Sequence, residues 1–87
     1  MNYLPQPKIG LECRPQEGRL IVYDPEQERA FELTPDIYRV LGYCHQKLTA
    51  EEAILNLSVT KEQSPEVSHL HLALGLDFLE QNQLVRK

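Results

Sequence analysis

"ERAFELTPDI", residues 28–37, changes its structural period within ten residues. From Glu28 to Leu33 polar and apolar residues alternate, which is the two-residue period of a strand. Thr34-Pro35-Asp36 then supplies a helix N-cap, a proline at the first helical position and an acid at the positive end of the helix dipole. A strand that runs straight into a helix has no following strand to pair with, so its far edge is left open. This juncture divides the chain, with strands before it and helices after it.

Upstream, "RLIVYD" (19–24) is a strand rich in β-branched and aromatic residues. "KIGLECR" (8–14) alternates, with Ile9, Leu11 and Cys13 on one face. "PQEG" (15–18) and "PEQE" (25–28) are turn signals between the strands. Three short strands joined by tight turns make an antiparallel meander. The opening "MNYLPQP" has two prolines and no period, so residues 1–7 are expected to form an arm that is loose or orders on contact.

Downstream, Ile37, Val40, Leu41 and Cys44 recur at helical spacing. Thr49 and Glu52 form a capping box ahead of Ala53, Ile54 and Leu57. Ser64-Pro65 caps a third helix expected to run to about Gln81. The fold class is therefore α+β: a three-stranded antiparallel sheet followed by three helices, winged helix-turn-helix-like. The whole chain, 1–87, reads as one domain.

The third helix has two apolar stripes. Val67, Leu70, Leu74 and Phe78 lie on one, and Leu72, Leu76 and Leu79 on another, roughly opposite. A surface helix normally needs only one. Either the helix is sandwiched, or one stripe lines a groove. His71 and Gly75 border the first stripe, where a backbone or a peptide can approach closely.

Composition excludes several classes. The formal net charge is −4 and the pI about 5.3, whereas nucleic-acid affinity rests on cationic contacts to phosphate. The third helix has no Lys or Arg from Pro65 to Leu84, so a DNA-reading winged helix is disfavoured. No apolar run approaches the ~20 residues of a membrane span. The opening residues have neither the apolar core nor the basic start of a secretory signal, so a cytoplasmic protein is expected. Cys13 and Cys44 are expected to be reduced, small, buried apolar groups. Cys44-His45 and His69-x-His71 lack the spacing of three or four that helical metal ligands need. There is no glycine-rich phosphate loop and no nucleophile with a recognisable partner motif. No metal, no cofactor and no catalysis are expected.

The stretch "GRLIVYDPEQERAFELTPDIYRVLGYCHQKLTAEEAILNL" resembles the PqqD-like fold, also called the RiPP recognition element. The resemblance rests on Leu33-Thr34 at the end of the third strand and on Cys44-His45-Gln46 at the end of the first helix. It continues through Thr49-Ala50-Glu51-Glu52-Ala53-Ile54, then Leu79 and Gln83-Leu84-Val85, and covers roughly residues 8–86. His45-Gln46 stands where Asp-Gly is usual, and Gln83 where glycine is common. The resemblance implies a non-catalytic domain that binds the leader segment of a ribosomally made precursor peptide. The leader would add as a strand to the third strand, lie against the third helix, and be presented to a separate tailoring enzyme or leader peptidase. Carried onto this chain, the strand residues are Ala30, Phe31, Glu32 and Leu33. The groove side of the helix is Leu70, His71, Leu74 and Phe78, and the core side is Leu72, Leu76 and Leu79. Strand addition supplies main-chain hydrogen bonds, and side-chain pockets supply selectivity. The alternative is a winged-helix transcriptional or scaffold protein that binds DNA or another protein.

Overall fold

The computed structural model describes residues 2–86. Five strands and three helices follow one another as β1 (Gln6–Pro7), β2 (Glu12–Gln16), β3 (Arg19–Asp24), β4 (Arg29–Leu33), α1 (Pro35–His45), α2 (Ala50–Thr60), α3 (Pro65–Gln81) and β5 (Val85–Arg86). The main sheet is antiparallel in the order β2-β3-β4, and a second two-stranded ribbon pairs β1 with β5. The fold is thus α+β, with the three-stranded sheet leading into the three helices.

The β2–β3 hairpin turns on two residues, Glu17 and Gly18, both at positive φ. That conformation matches the strands' own twist, as in the I′ family of turns. The turn falls on the last two residues of the expected "PQEG" signal, and Pro15 itself belongs to β2, opposite Leu20. Proline is tolerated there because β2 is an edge strand.

One face of the sheet packs on the helices. Val22, Phe31 and Leu33 join Val40, Leu41, Cys44, Ala53, Leu57, Leu72 and Leu79 in a single core. Across β3 and β4 these inward residues are register partners: Leu20 opposes Leu33 and Val22 opposes Phe31. Ile9 was expected to share one strand face with Leu11 and Cys13, but it lies in the β1–β2 link and is exposed.

All three helix starts follow the sequence. Thr34, Thr49 and Ser64 accept hydrogen bonds from the backbone N–H groups of Ile37, Glu52 and Val67, and the Thr49–Glu52 capping box closes in both directions. The helix ends also share one device. Lys47, Glu62 and Gln83 adopt positive φ just past α1, α2 and α3. Leu48, Gln63 and Leu84 then donate N–H back to the carbonyls of Tyr43, Ser58 and Leu79, the six-to-one bond of a Schellman cap.

Two further expectations are corrected. The arm is not loose: Leu4 and Lys8 are buried, Leu4 N–H donates to the Leu48 carbonyl, and Lys8 N–H donates to the Leu84 carbonyl. Tyr3 forms a bridge with Thr49, and Gln6-Pro7 pairs with Val85-Arg86. Met1 falls outside the described residues. Nor are both thiols buried. Cys44 is, and burial first, then the nearby Glu80, pushes its pKa up to about 11. Cys13 is exposed on edge strand β2, beside the Tyr38 hydroxyl.

Candidate functional site

β4 has β3 on one side and no strand on the other among the described residues. The register determines which of its groups face outward. A two-residue turn closes on a pair that exchanges both main-chain hydrogen bonds, here Gln16 and Arg19. Bonded and non-bonded pairs then alternate, so Arg19, Ile21 and Tyr23 bond to β2, while Leu20, Val22 and Asp24 bond to β4. Their β4 partners Leu33, Phe31 and Arg29 therefore point inward along the sheet. Ala30 and Glu32 present N–H and C=O to the open side. Pro15 fits this phase, because its missing N–H falls on the outward side of β2.

The four strand residues thus divide by role. Phe31 and Leu33 are 7% and 3% exposed, and their side chains belong to the core. The Arg29 guanidinium stacks over the Phe31 ring at 5.0 Å. Ala30 and Glu32 are exposed. The Glu32 carboxylate accepts from Arg19 on β3, and that bond first, together with the charge of Arg19, holds its pKa below the usual range against the opposing effect of burial.

On α3 the buried line is Ser68, Leu72, Gly75 and Leu79. Leu70 and Leu74 are 56% and 60% exposed. Phe78 and Leu76 are both half-buried and packed against the core, so Phe78 is not a free groove residue. Gly75 has its own reason. A Cβ there would lie 2.8 Å from Cγ2 of Val40, so it is α1 that approaches this glycine.

His71, Leu74 and Gly75 line a cleft of about 280 Å³, and Thr34, Asp36 and Ile37 of the β4–α1 junction form its other wall. A second concavity of about 480 Å³ is lined by Gly18, Arg19, Leu20, Glu32, Leu33, Thr34 and Pro35. Thr34 lines both, so the end of β4 adjoins the α3 cleft. The Asp36 carboxylate accepts from Lys61, which holds its pKa down. Burial opposes the shift, and Lys61, His71 and Arg39 add to it electrostatically. Arg39 Nε is buried with no hydrogen-bond partner among the described residues.

The fold therefore brings Glu32, His71 and Leu74 to two concavities that meet at Thr34, leaves Ala30 and Leu70 exposed outside their linings, and buries Phe31, Leu33 and part of Phe78 against the core. Sequence reasoning missed Thr34, Asp36 and Ile37 as the facing wall. Their signal was the N-cap itself, which puts the first turn of α1 immediately after the open strand. Among the described residues no group of three His, Cys, Asp or Glu side chains could hold a metal ion, and no helix is long and apolar enough to cross a membrane.

Comparison with protein-family models, with curated proteins and with solved structures finds no match. The functional reading therefore rests on the geometry above and on the motif resemblance.

Proposed function

We propose that this chain is a non-catalytic, cytoplasmic adaptor for the leader segment of a ribosomally synthesised precursor peptide. The leader adds as a strand to β4 and is presented to a separate tailoring enzyme or leader peptidase. The observation that supports this best is the open edge of β4, with two outward residues adjoining an apolar cleft on α3. The exposed α3 face, with Glu66 and Asp77 and no Lys or Arg, disfavours the DNA-binding alternative.

A four- to six-residue leader segment would satisfy the outward groups of Ala30 and Glu32. Its apolar anchors, worth roughly 1.5–3 kcal/mol each, must offset the cost of ordering it. Micromolar affinity, about 8 kcal/mol, is expected. Amide hydrogen exchange tests the reading. In the free chain Ala30 and Glu32 exchange fast and Phe31 and Leu33 slowly, and a bound leader slows the first pair. A leader that binds without protecting Ala30 or Glu32 would exclude strand addition here.

A further inference from the structure

One hydrogen-bond chain between α2 and α3 has a defined direction. The Ser58 hydroxyl donates to the Ile54 carbonyl at 2.8 Å. With that proton committed, the 2.8 Å contact between Ser58 Oγ and Ser68 Oγ requires Ser68 to be the donor. Ser68 is fully buried, so its oxygen can then only accept, and it does so from Gln63 Nε2 at 3.1 Å. This fixes the Gln63 amide with its NH₂ group towards α3. The second N–H of that group meets His71 Nδ1 at 3.3 Å. Nδ1 must therefore offer a lone pair, which leaves the proton of the neutral ring on Nε2.

His71 lines the α1–α3 cleft, and Nε2 has no hydrogen-bond partner among the described residues. The cleft thus carries one oriented donor beside an apolar slot between Ile37 and Leu74, with Gly75 alongside. The charges around it restrict the acceptor. No Lys or Arg lines the cleft, and the Asp36 carboxylate on its rim is already held by Lys61 and approached by Arg39, so a carboxylate guest would be desolvated with no cation to receive it, and a cation would have to compete with Lys61.

We propose that the cleft is a selective subsite for an apolar side chain whose neighbouring acceptor is an uncharged carbonyl, held by His71 Nε2–H, with Gln63 as the positioning residue that sets the tautomer. This rests on the peptide-binding reading and adds to it which peptide chemistry the cleft accepts.

The test starts on the free chain. Long-range ¹H–¹⁵N correlation on the neutral His71 ring should show the proton on Nε2, and Gln63→Met should remove that bias. Titration with N-acetyl-leucine-N-methylamide should then shift the resonances of Ile37, His71, Leu74 and Gly75. N-acetyl-leucine, which carries a carboxylate, should bind more weakly. His71→Phe should weaken the diamide about three- to tenfold, the range set by one ordinary hydrogen bond, while His71→Gln, which restores a donor near the Nε2 position, should recover most of it. A proton on Nδ1 in the wild-type chain, or a carboxylate probe that binds as well as the diamide, would overturn the proposal. These readouts need no leader peptide. An Nε2 proton with diamide binding supports the subsite even if Ala30 and Glu32 gain no protection, and an Nδ1 proton removes it while strand addition still stands.

Discussion

Two residues show how closely this small core is fitted. Gly75 is required by its neighbour, because Val40 occupies the space a side chain would take. Gly75→Ala improves helix propensity but overpacks the α1–α3 contact, and should destabilise by about 1–3 kcal/mol in urea unfolding. Adding Val40→Ala should recover part of that loss, so a double-mutant cycle with no coupling would contradict the contact. Asp24 is the second case. It is fully buried, accepts from Lys8 Nζ at 2.9 Å and from Gln27, and its pKa is lowered to about 2, first by the Lys8 hydrogen bond. The folded pKa lies below the ordinary carboxylate value, so the pair's contribution is present above about pH 4 and is lost as pH falls towards 2. Lys8 is shifted upward, so at the alkaline end the contribution is full below its ordinary pKa of 10.5 and fades as pH rises through the raised value. Glu32 and Asp36 are also lowered and add to the acid loss. Asp24→Asn should therefore lower stability at neutral pH, because buried Lys8 keeps only the exposed Glu26 carboxylate, 3.5 Å away, as its anion, and should flatten the decline between pH 4 and 2. An unchanged acid limb in melts of this variant would contradict the assignment.

At the scale of elements, the helix starts were legible and the helix ends less so. Thr34-Pro35, Thr49 with Glu52, and Ser64-Pro65 are local signals, and each works without tertiary help. The ends were harder because Lys47, Glu62 and Gln83 hold the left-handed position that glycine usually marks. The resemblance suggested a glycine-like position at Gln83, and Gln83 is left-handed. After α1, however, the left-handed residue is Lys47, just past His45-Gln46. Lys47→Gly and Gln83→Gly should each stabilise by up to about 1 kcal/mol, because a Cβ is strained there. Chemical denaturation of the two variants, with Gln83→Ala as the unfavourable control, checks this. The stripes of α3 were read correctly for Leu70 and Leu74, which lie outside, and for Leu72 and Leu79, which lie inside. Phe78 lies at the boundary, where periodicity cannot separate flank from face. Leu70→Ala and Leu74→Ala should change stability by no more than ~0.5 kcal/mol. Leu72→Ala and Leu79→Ala should cost about 2–5 kcal/mol, with Phe78→Ala between the two groups. If Leu74→Ala unfolds the chain, the cleft wall is part of the core.

At the scale of the whole molecule, the first residues hold together what the rest of the chain leaves separate. The arm was read as loose because its prolines break any period, and because its main-chain partners lie more than forty residues away, beyond any local pattern. Leu4 reaches the core and bonds Leu48 after α1; Lys8 bonds Leu84 after α3 and pairs with Asp24 at the end of β3. Gln27, beside that pair, also donates to the Asn82 carbonyl. The arm therefore closes the ends of two helices and one strand at once. Leu4→Ala should cost about 2–5 kcal/mol. A chain that starts at Ile9 also loses β1 and leaves Asp24 buried without its cation. A native domain is stable by only ~5–15 kcal/mol, and a small one sits near the lower end. The shortened chain should therefore show no cooperative urea transition, while Leu4→Ala keeps one with a lower midpoint. The cleft residues His71 and Leu74 touch none of these arm contacts, so Leu4→Ala should leave their resonances in place below its own midpoint. A shortened chain that unfolds cooperatively within about 1 kcal/mol of the full one would show that sheet and helices hold together without the arm.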